Sequence, residues 1–499
     1  MLDKTGKSLR DINKQNNKQM NTFGYKKLYI DGVLVDASSN GRKDVICPGT
    51  DKLVAEIAWA SKEDALRALK SAEEGFRYWS KLSLKERTAW MLKFRDIVLE
   101  NEELIRESVM YEMGKTYEGA GEDFETVVNA LQYYPEEMKH RRDEILADED
   151  GDFTHKMISQ PAGVAVAFLA WNFPLLNVGF KIGPALAAGC SMIIRPSANS
   201  PLSAYILGEL LAKINFPKGV INILCGGTEE VANTLSASKT PSLITLIGSS
   251  ETGRKIIANS TTSIKKFSME LGGNAPVLVF KDADIQKAAT DVAALKTGNT
   301  GQICVAPNRI FVQKEVFAEF ESLLTRKMSE TKVGFGRDNK PDMGPMVDKR
   351  SRDRVLKMVN DDINNGAILV LGGKIPDGME LGCFMEPTIL KNINAQHRCF
   401  REEIFGPVAA LIEFEDEDQA IEMANDSEYA LSSYLYTRDA DRIQRVSEKL
   451  EFGEVHINGF KYAIYLPHGG FKESGIGHDC SHLALEDYLV KKRITMKIG

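Results

Sequence analysis

From residue 163 the chain settles into a rhythm that limits its fold more than any other feature. GVAVAFLA, SMIIRPS, VINILCG and SLITLIG are short, continuous apolar runs, separated by helical stretches of roughly 10 to 15 residues. Strands that are apolar along their whole length belong to a parallel sheet covered on both faces by helices. The expected class is therefore α/β, with a doubly wound parallel sheet of the dinucleotide-binding kind. A second α/β region follows from about residue 272, beginning with APVLVF and carrying Cys304. At 499 residues the chain is too long for one hydrophobic core, so two or more domains are expected. Upstream, Ser83-x-x-Glu86 is a capping box, and Leu84, Met91, Phe94, Val98 and Ile105 fall near one face. That pattern predicts one long amphipathic helix over 83–113.

Charge narrows the partner. The net charge is −7 and no Lys/Arg block stands out, which argues against nucleic acid or an anionic membrane surface and for a small molecule. With 43% hydrophobic and 27% charged residues the composition is globular, and no apolar run approaches the roughly 18 residues a membrane span needs. The seven cysteines are scattered, with no CxxC pair. Together with the lack of a signal peptide, they predict reduced thiols in a cytoplasm. Residues 1–22 read as a mobile polar extension, and Met20 could equally be a start. The tail from 479 ends in a strand-like run that needs a partner edge.

The chemistry gathers around NTGQICVAPNR. Cys304 could be a buried spacer, a metal ligand or a nucleophile, and as a nucleophile it needs help, because a free thiol is mostly protonated at neutral pH. Glu270, in FSMELGGNAP, ends a strand-like run before Gly272 and Gly273, and could serve as a general base. It could also be a cap or a surface residue. Asn172, in AWNFPLLNVG, stands between a strand and a helix expected to begin at Pro174. Its amide could donate to an oxyanion, or it could be a turn residue. Gly248 and Ser249 close a strand ahead of a helix, a geometry receptive to a pyrophosphate. Arg195 ends another strand, where it could reach a ribose or phosphate or lie solvated. His478, Cys480 and His482 would share one face of a strand, but no fourth ligand accompanies them, and no metal is expected.

Five stretches in order, WNFP (171–174), MELGG (269–273), GQxC (301–304), EEIFGPV (402–408) and GGFKESG (469–475), make the chain resemble the aldehyde dehydrogenase superfamily over roughly residues 25–499. The resemblance implies NAD(P)+-dependent oxidation of a small polar aldehyde to its acid. Cys304 would be the nucleophile, Glu270 the base for water, and Asn172 with the Cys304 N–H the oxyanion site. Lys181 and Asp479 would help relay the proton, with Asp here where Glu is common. Trp171, Arg195, Ser197, Ala198, Gly248, Ser249, Leu271, Glu403 and Phe405 would contact the cofactor. It further implies an NAD(P)-binding domain from 23–137 and 162–271, a catalytic domain over 272–478, and an oligomerisation element from 138–161 and 479–499. The strands of that element would pair across subunits of a homodimer or homotetramer.

Two departures from the family pattern bear on specificity. Ala198 stands where a Glu usually binds the adenosine ribose, and Arg195 offers a donor to a 2′-phosphate, so NADP should be tolerated or preferred. Phe180 and Gly298 occupy positions at which relatives that oxidise succinate semialdehyde carry Arg. The closing stretch LPHGGFKESGIGHDCSHLALEDYL is nearer to aminoaldehyde dehydrogenases. The competing readings are a thiol hydrolase or esterase, which would need a distant His folded beside the sulfur, a non-catalytic binding protein on the same fold, and a CoA-acylating relative, which would usually lack the general-base Glu.

Overall fold

The computed structural model describes residues 22–498, so the extension read over residues 1–22 lies outside it but for its last residue. The four apolar runs become strands Val164–Phe168, Ser191–Arg195, Ile221–Ile223 and Pro241–Ile247, joined by Lys266–Glu270. These five run parallel in one sheet of eight. Leu28–Ile30 and Val33–Val35 extend it antiparallel at one side, and Gly475–Ile476 closes the other side against Lys266–Glu270. A segment near the C-terminus thus completes the first sheet, directly beside Glu270.

The second sheet has seven strands and places Ala275–Val279 between Pro307–Gln313 and Ser432–Tyr436, all parallel. Alternate residues of these strands serve two separate cores. Leu278, Phe311, Ala410 and Leu435 pack on one face, and Val277, Ile310, Ala409 and Tyr434 on the other. Burial of both faces explains why the runs are apolar throughout rather than alternating.

Three expectations are corrected. The stretch 83–113 is two helices, Leu84–Leu99 and Glu102–Met113. Asn101 leaves helical geometry between them, and its side-chain amide donates to the Ile97 carbonyl at 2.8 Å. The apolar face continues across the break, with Val98 and Ile105 both buried, so periodicity alone could not reveal it. The helix after WNFP begins at Leu176 rather than Pro174. Its first free N–H groups, those of Leu175 and Leu176, donate to the buried Asp123 carboxylate at 2.9 and 3.0 Å, and Asp123 also takes Lys115 at 2.6 Å. A carboxylate from another helix therefore supplies the cap that Pro174 was expected to mark. Finally, the tail strand Leu489–Lys497 finds its partner within the chain, antiparallel to Phe153–Pro161, which also pairs with Glu144–Leu146.

Candidate active site

Cys304 lies in the loop between helix Ile285–Thr297 and strand Pro307–Gln313. Three successive residues, Asn299, Thr300 and Gly301, take left-handed backbone angles, a costly conformation held by surrounding bonds. The Thr300 hydroxyl donates to the Gly344 carbonyl at 2.9 Å. The Gln302 amide donates to the Asn299 carbonyl at 3.0 Å and accepts from the Val347 N–H at 2.9 Å. A Cβ on Gly301 would sit 2.2 Å from the Gly406 carbonyl, and one on Gly273 2.1 Å from the Cys304 carbonyl. Both glycines are required so that the GQxC loop can close against MELGG and EEIFGPV.

Around the sulfur the sequence-predicted residues converge. Glu270 is the buried last residue of its strand, and its Oε1 has no hydrogen-bond partner. Asn172, also buried, donates one amide N–H to the Gln302 carbonyl at 3.1 Å and leaves its Oδ1 unpaired. Lys181 is completely enclosed and paired with Asp479 at 2.5 Å. His468, which sequence reasoning missed, completes the cluster: a carboxylate oxygen of Glu270, the Cys304 sulfur and a ring nitrogen of His468 all lie within 4.8 Å of one another. Its Nε2 is 3.6 Å from Glu270 Oε1, and its Nδ1 is 2.6 Å from Glu454 Oε1. The backbones of His468 and Asp479 form a two-bond bridge. The signal in the sequence was adjacency, since His468 immediately precedes GGFKESG.

Electrostatics here oppose a lone thiolate. Burial pushes the Cys304 thiol up, the Glu270 carboxylate adds to the shift, and His468 opposes both. Burial would also raise Glu454, yet the charges and hydrogen bonds of His468 and His456 bring it down to about 2. The HxCxH stretch does not form a strand face. Cys480 is buried with a left-handed backbone, helix Ser481–Asp487 starts directly after it, and His478 and His482 are exposed. Alternation was the wrong period for that stretch.

The other expected residues lie at the strand ends. Trp171 meets the Phe405 ring edge-on at 5.2 Å. Glu403 accepts from the Gly273 N–H at 2.8 Å, and burial raises its carboxyl to about 7. A Cβ at Gly272 would be 3.1 Å from Glu403 Oε2, so that glycine lets the carboxylate approach. Leu271 is buried beside Gly253 of the preceding helix, Ser250–Asn259. Gly248 precedes Ser249, whose side chain caps helix Ser250–Asn259. Arg195 donates through Nη2 to the Gly226 carbonyl at 3.0 Å, and its buried Nε has no partner. Ser197 is half-buried and accepts from the Asn199 N–H at 3.3 Å. The Ala198 carbonyl accepts from Lys43 Nζ at 2.7 Å, so a second cation, also missed from sequence, stands next to Arg195. The helix N-terminus behind Gly248 and Ser249, the unpaired Arg195 Nε and the pair of aromatic rings are of the kinds that would suit the phosphates, the adenosine end and the ring of a nicotinamide dinucleotide.

The aldehyde dehydrogenase family model matches residues 34–494, and the chain belongs to that family. It is 36% identical to the mitochondrial succinate-semialdehyde dehydrogenase of Oryza sativa subsp. japonica, over 94% of this chain and 88% of the relative. Among solved structures, an NADP-dependent enzyme of E. coli superposes with a TM-score of 0.93 at 34% identity, covering 95% of this chain and 98% of that one. Betaine aldehyde dehydrogenase from Staphylococcus aureus in complex with NAD+ superposes with a TM-score of 0.91 at 33% identity, covering 97% and 96%. The chain is thus an NAD(P)-dependent oxidoreductase of small aldehydes. His468 does stand beside the sulfur, as a thiol hydrolase would require, but the family placement does not favour that alternative.

Proposed function

We propose that the substrate is a small aldehyde bearing a cationic group, oxidised to its carboxylic acid at Cys304. The observation that carries this reading is the charge of the cavity leading to the sulfur, a space of about 1210 Å³. Glu122, Glu125 and Glu136 line it together with aromatic rings that include Phe173, Phe180 and Tyr465, and Lys461 is its one Lys or Arg. Carboxylates and aromatic faces attract an ammonium group and repel a carboxylate. Phe180 and Gly298 supply no cation, which fits an aminoaldehyde or betaine-aldehyde type of substrate better than a dicarboxylic semialdehyde. Measuring kcat/KM for an ω-aminoaldehyde and an ω-carboxyaldehyde of equal length tests it. At least a ten-fold preference for the cation is expected, and equal values would overturn the charge argument.

In the proposed mechanism the Cys304 thiolate adds to the aldehyde carbon. The second N–H of the Asn172 amide and the Cys304 backbone N–H receive the oxyanion. When bound, the nicotinamide cofactor supplies the hydride acceptor. Trp171, Leu271, Glu403 and Phe405 would hold its ring end, Gly248 and Ser249 its pyrophosphate, and Arg195, Ser197 and Ala198 its adenosine end. Glu270 then removes a proton from water, which attacks the thioester carbon and releases the acid with the Cys304 sulfur as leaving group. The Lys181–Asp479 pair, tied to His468 through the backbone bridge, would steady the side of the site from which that proton leaves.

The reading includes a cofactor preference and an assembly. Lys43 and Arg195 both stand where Ala198 leaves no carboxylate, which supports use of NADP as well as NAD. The strands Glu144–Leu146, Phe153–Pro161 and Leu489–Lys497 carry exposed Ile145, Phe153, Ile494 and Met496, and their outer edges would be covered in a homodimer or homotetramer. No described helix is long and apolar enough to cross a membrane, and the reduced cysteines fit a cytoplasmic setting.

A further inference from the structure

We infer that His468, clamped by Glu454, is the positioning residue that allows Cys304 to ionise beside Glu270. The mechanism places a thiolate and a carboxylate side by side in one cavity, with Glu270 buried and Cys304 half-buried, and two like charges a few ångströms apart oppose one another where burial weakens screening. A compensating cation is needed. Lys181 is taken by Asp479 at 2.5 Å, and Lys461 is exposed. His468 is the group within reach of both anions, with Nε2 3.6 Å from Glu270 and a ring nitrogen within 4.8 Å of the sulfur.

What keeps His468 charged is on its other side. Nδ1 meets Glu454 Oε1 at 2.6 Å, while His456 Nε2 holds the second Glu454 oxygen at 3.3 Å. Tyr462 and Phe180 shield the imidazole at ring distances of 6.2 and 6.3 Å. Behind it, the Asp479 N–H donates to the His468 carbonyl and the Asp479 carbonyl accepts in return. Burial alone would strip the imidazole of its proton, but Glu454, Cys304 and Glu270 outweigh burial and raise its pKa well above the usual value. The sign follows directly. While its imidazole is charged, His468 works against the upward push that burial and Glu270 exert on the Cys304 thiol, and that opposition is lost when the positive charge is removed.

The inference rests on the proposed function only in taking Cys304 as the nucleophile. Its test is the pH profile of Cys304 alkylation by iodoacetamide, without aldehyde or cofactor, read by the mass of the peptide that contains Cys304. The Cys304 proton leaves to water in the cavity, and the thiolate then displaces iodide as the S–C bond forms. In His468→Phe the inflection should move upward by about one pH unit or more, with alkylation roughly ten-fold slower at a fixed pH below it. His468→Gln, which keeps a hydrogen-bond donor without the charge, should behave alike and serves if the Phe variant fails to fold. Glu454→Gln should slow alkylation near neutral pH, because His468 then loses its proton earlier. An unchanged inflection in folded His468→Gln, together with an unchanged rate in Glu454→Gln, overturns the inference. Because no turnover is read, absence of dehydrogenase activity would overturn the proposed oxidation and leave this test intact.

Discussion

Arg195 and Glu270 are both the last residues of parallel strands in the same sheet, yet they live in different surroundings. Glu270 is 5% exposed, walled in by the Cys304 loop, by His468 and by Gly475–Ile476 on the neighbouring strand. Arg195 is only half-buried, and its neighbours are a backbone carbonyl and Lys43. The sheet presents both side chains at the same end, where α/β folds bind ligands. At Glu270 the Cys304 loop, from the second sheet, closes over the strand end, whereas beside the Arg195 strand the exposed Asn199 amide donates to Asp348 at 3.2 Å. Enclosure, then, separates the proposed reacting end from the proposed adenosine end, and the cost of disturbing each should scale with it.

The largest break is expected at the sulfur. Cys304→Ala should lower kcat/KM by at least about 10³-fold while cofactor affinity, measured by quenching of tryptophan fluorescence, stays within a factor of about three. Residual turnover above a few per cent would remove Cys304 from the nucleophile role. Next in size is Glu270→Gln. If Glu270 acts on water, reduced cofactor should appear in a burst about equal to the active sites, followed by a steady state slower by roughly 10²-fold. Loss of the burst itself would place Glu270 earlier in the sequence of steps.

A third perturbation separates enclosure from chemistry. Lys181 and Asp479 are buried together, so Lys181→Met alone leaves an unpaired carboxylate and should cost about 3 to 5 kcal/mol in urea unfolding, whereas Lys181→Met with Asp479→Leu should cost less. Equal destabilisation by the single and double variants would mean that the pair is not electrostatically coupled. The surface pair Lys255–Glu251, with both side chains largely exposed, should give less than about 1 kcal/mol in the same experiment.

The same contrast explains what the sequence could reveal. The parallel strands and their order along the chain were legible because burial on both faces leaves an unbroken apolar run that composition records. Cys304, Glu270 and Asn172 stood out through flanking glycines, amides and turns, all of which are local. His468 carried no more than its adjacency to GGFKESG, and Glu454 carried no local mark, because nothing nearby in sequence encodes that two distant loops meet at the sulfur. Lys43 was missed for the same reason, lying on an early strand far from Ala198 in sequence. The break at Asn101 escaped because the buried face runs through it, and Asp123 caps a helix that Pro174 seemed to start. Local rules found the elements, while contacts between elements decided the charges.

The smallest expected effect lies at the open end, and it tests whether that end reads the cofactor. Lys43 donates to the Ala198 carbonyl at 2.7 Å and lies 4.7 Å from the centre of the Trp59 ring, so its ammonium is held beside Arg195 rather than free in solvent. Charge-assisted hydrogen bonds are worth about 1.5 to 3 kcal/mol, but screening at a half-exposed site brings the expected change nearer to ten-fold. Ala198→Glu should place a carboxylate between these cations, repelling a 2′-phosphate and offering an acceptor to the ribose hydroxyls. The ratio of kcat/KM for NADP to that for NAD should therefore fall by about ten-fold. Lys43→Met and Arg195→Ala should each lower the same ratio, and raising the salt concentration should compress all three differences. If Lys43→Met leaves the ratio unchanged while Arg195→Ala lowers it, Lys43 is only bracing the loop. If all three variants change the two cofactors in parallel, the 2′-phosphate is recognised elsewhere and enclosure is the whole difference between the two strand ends.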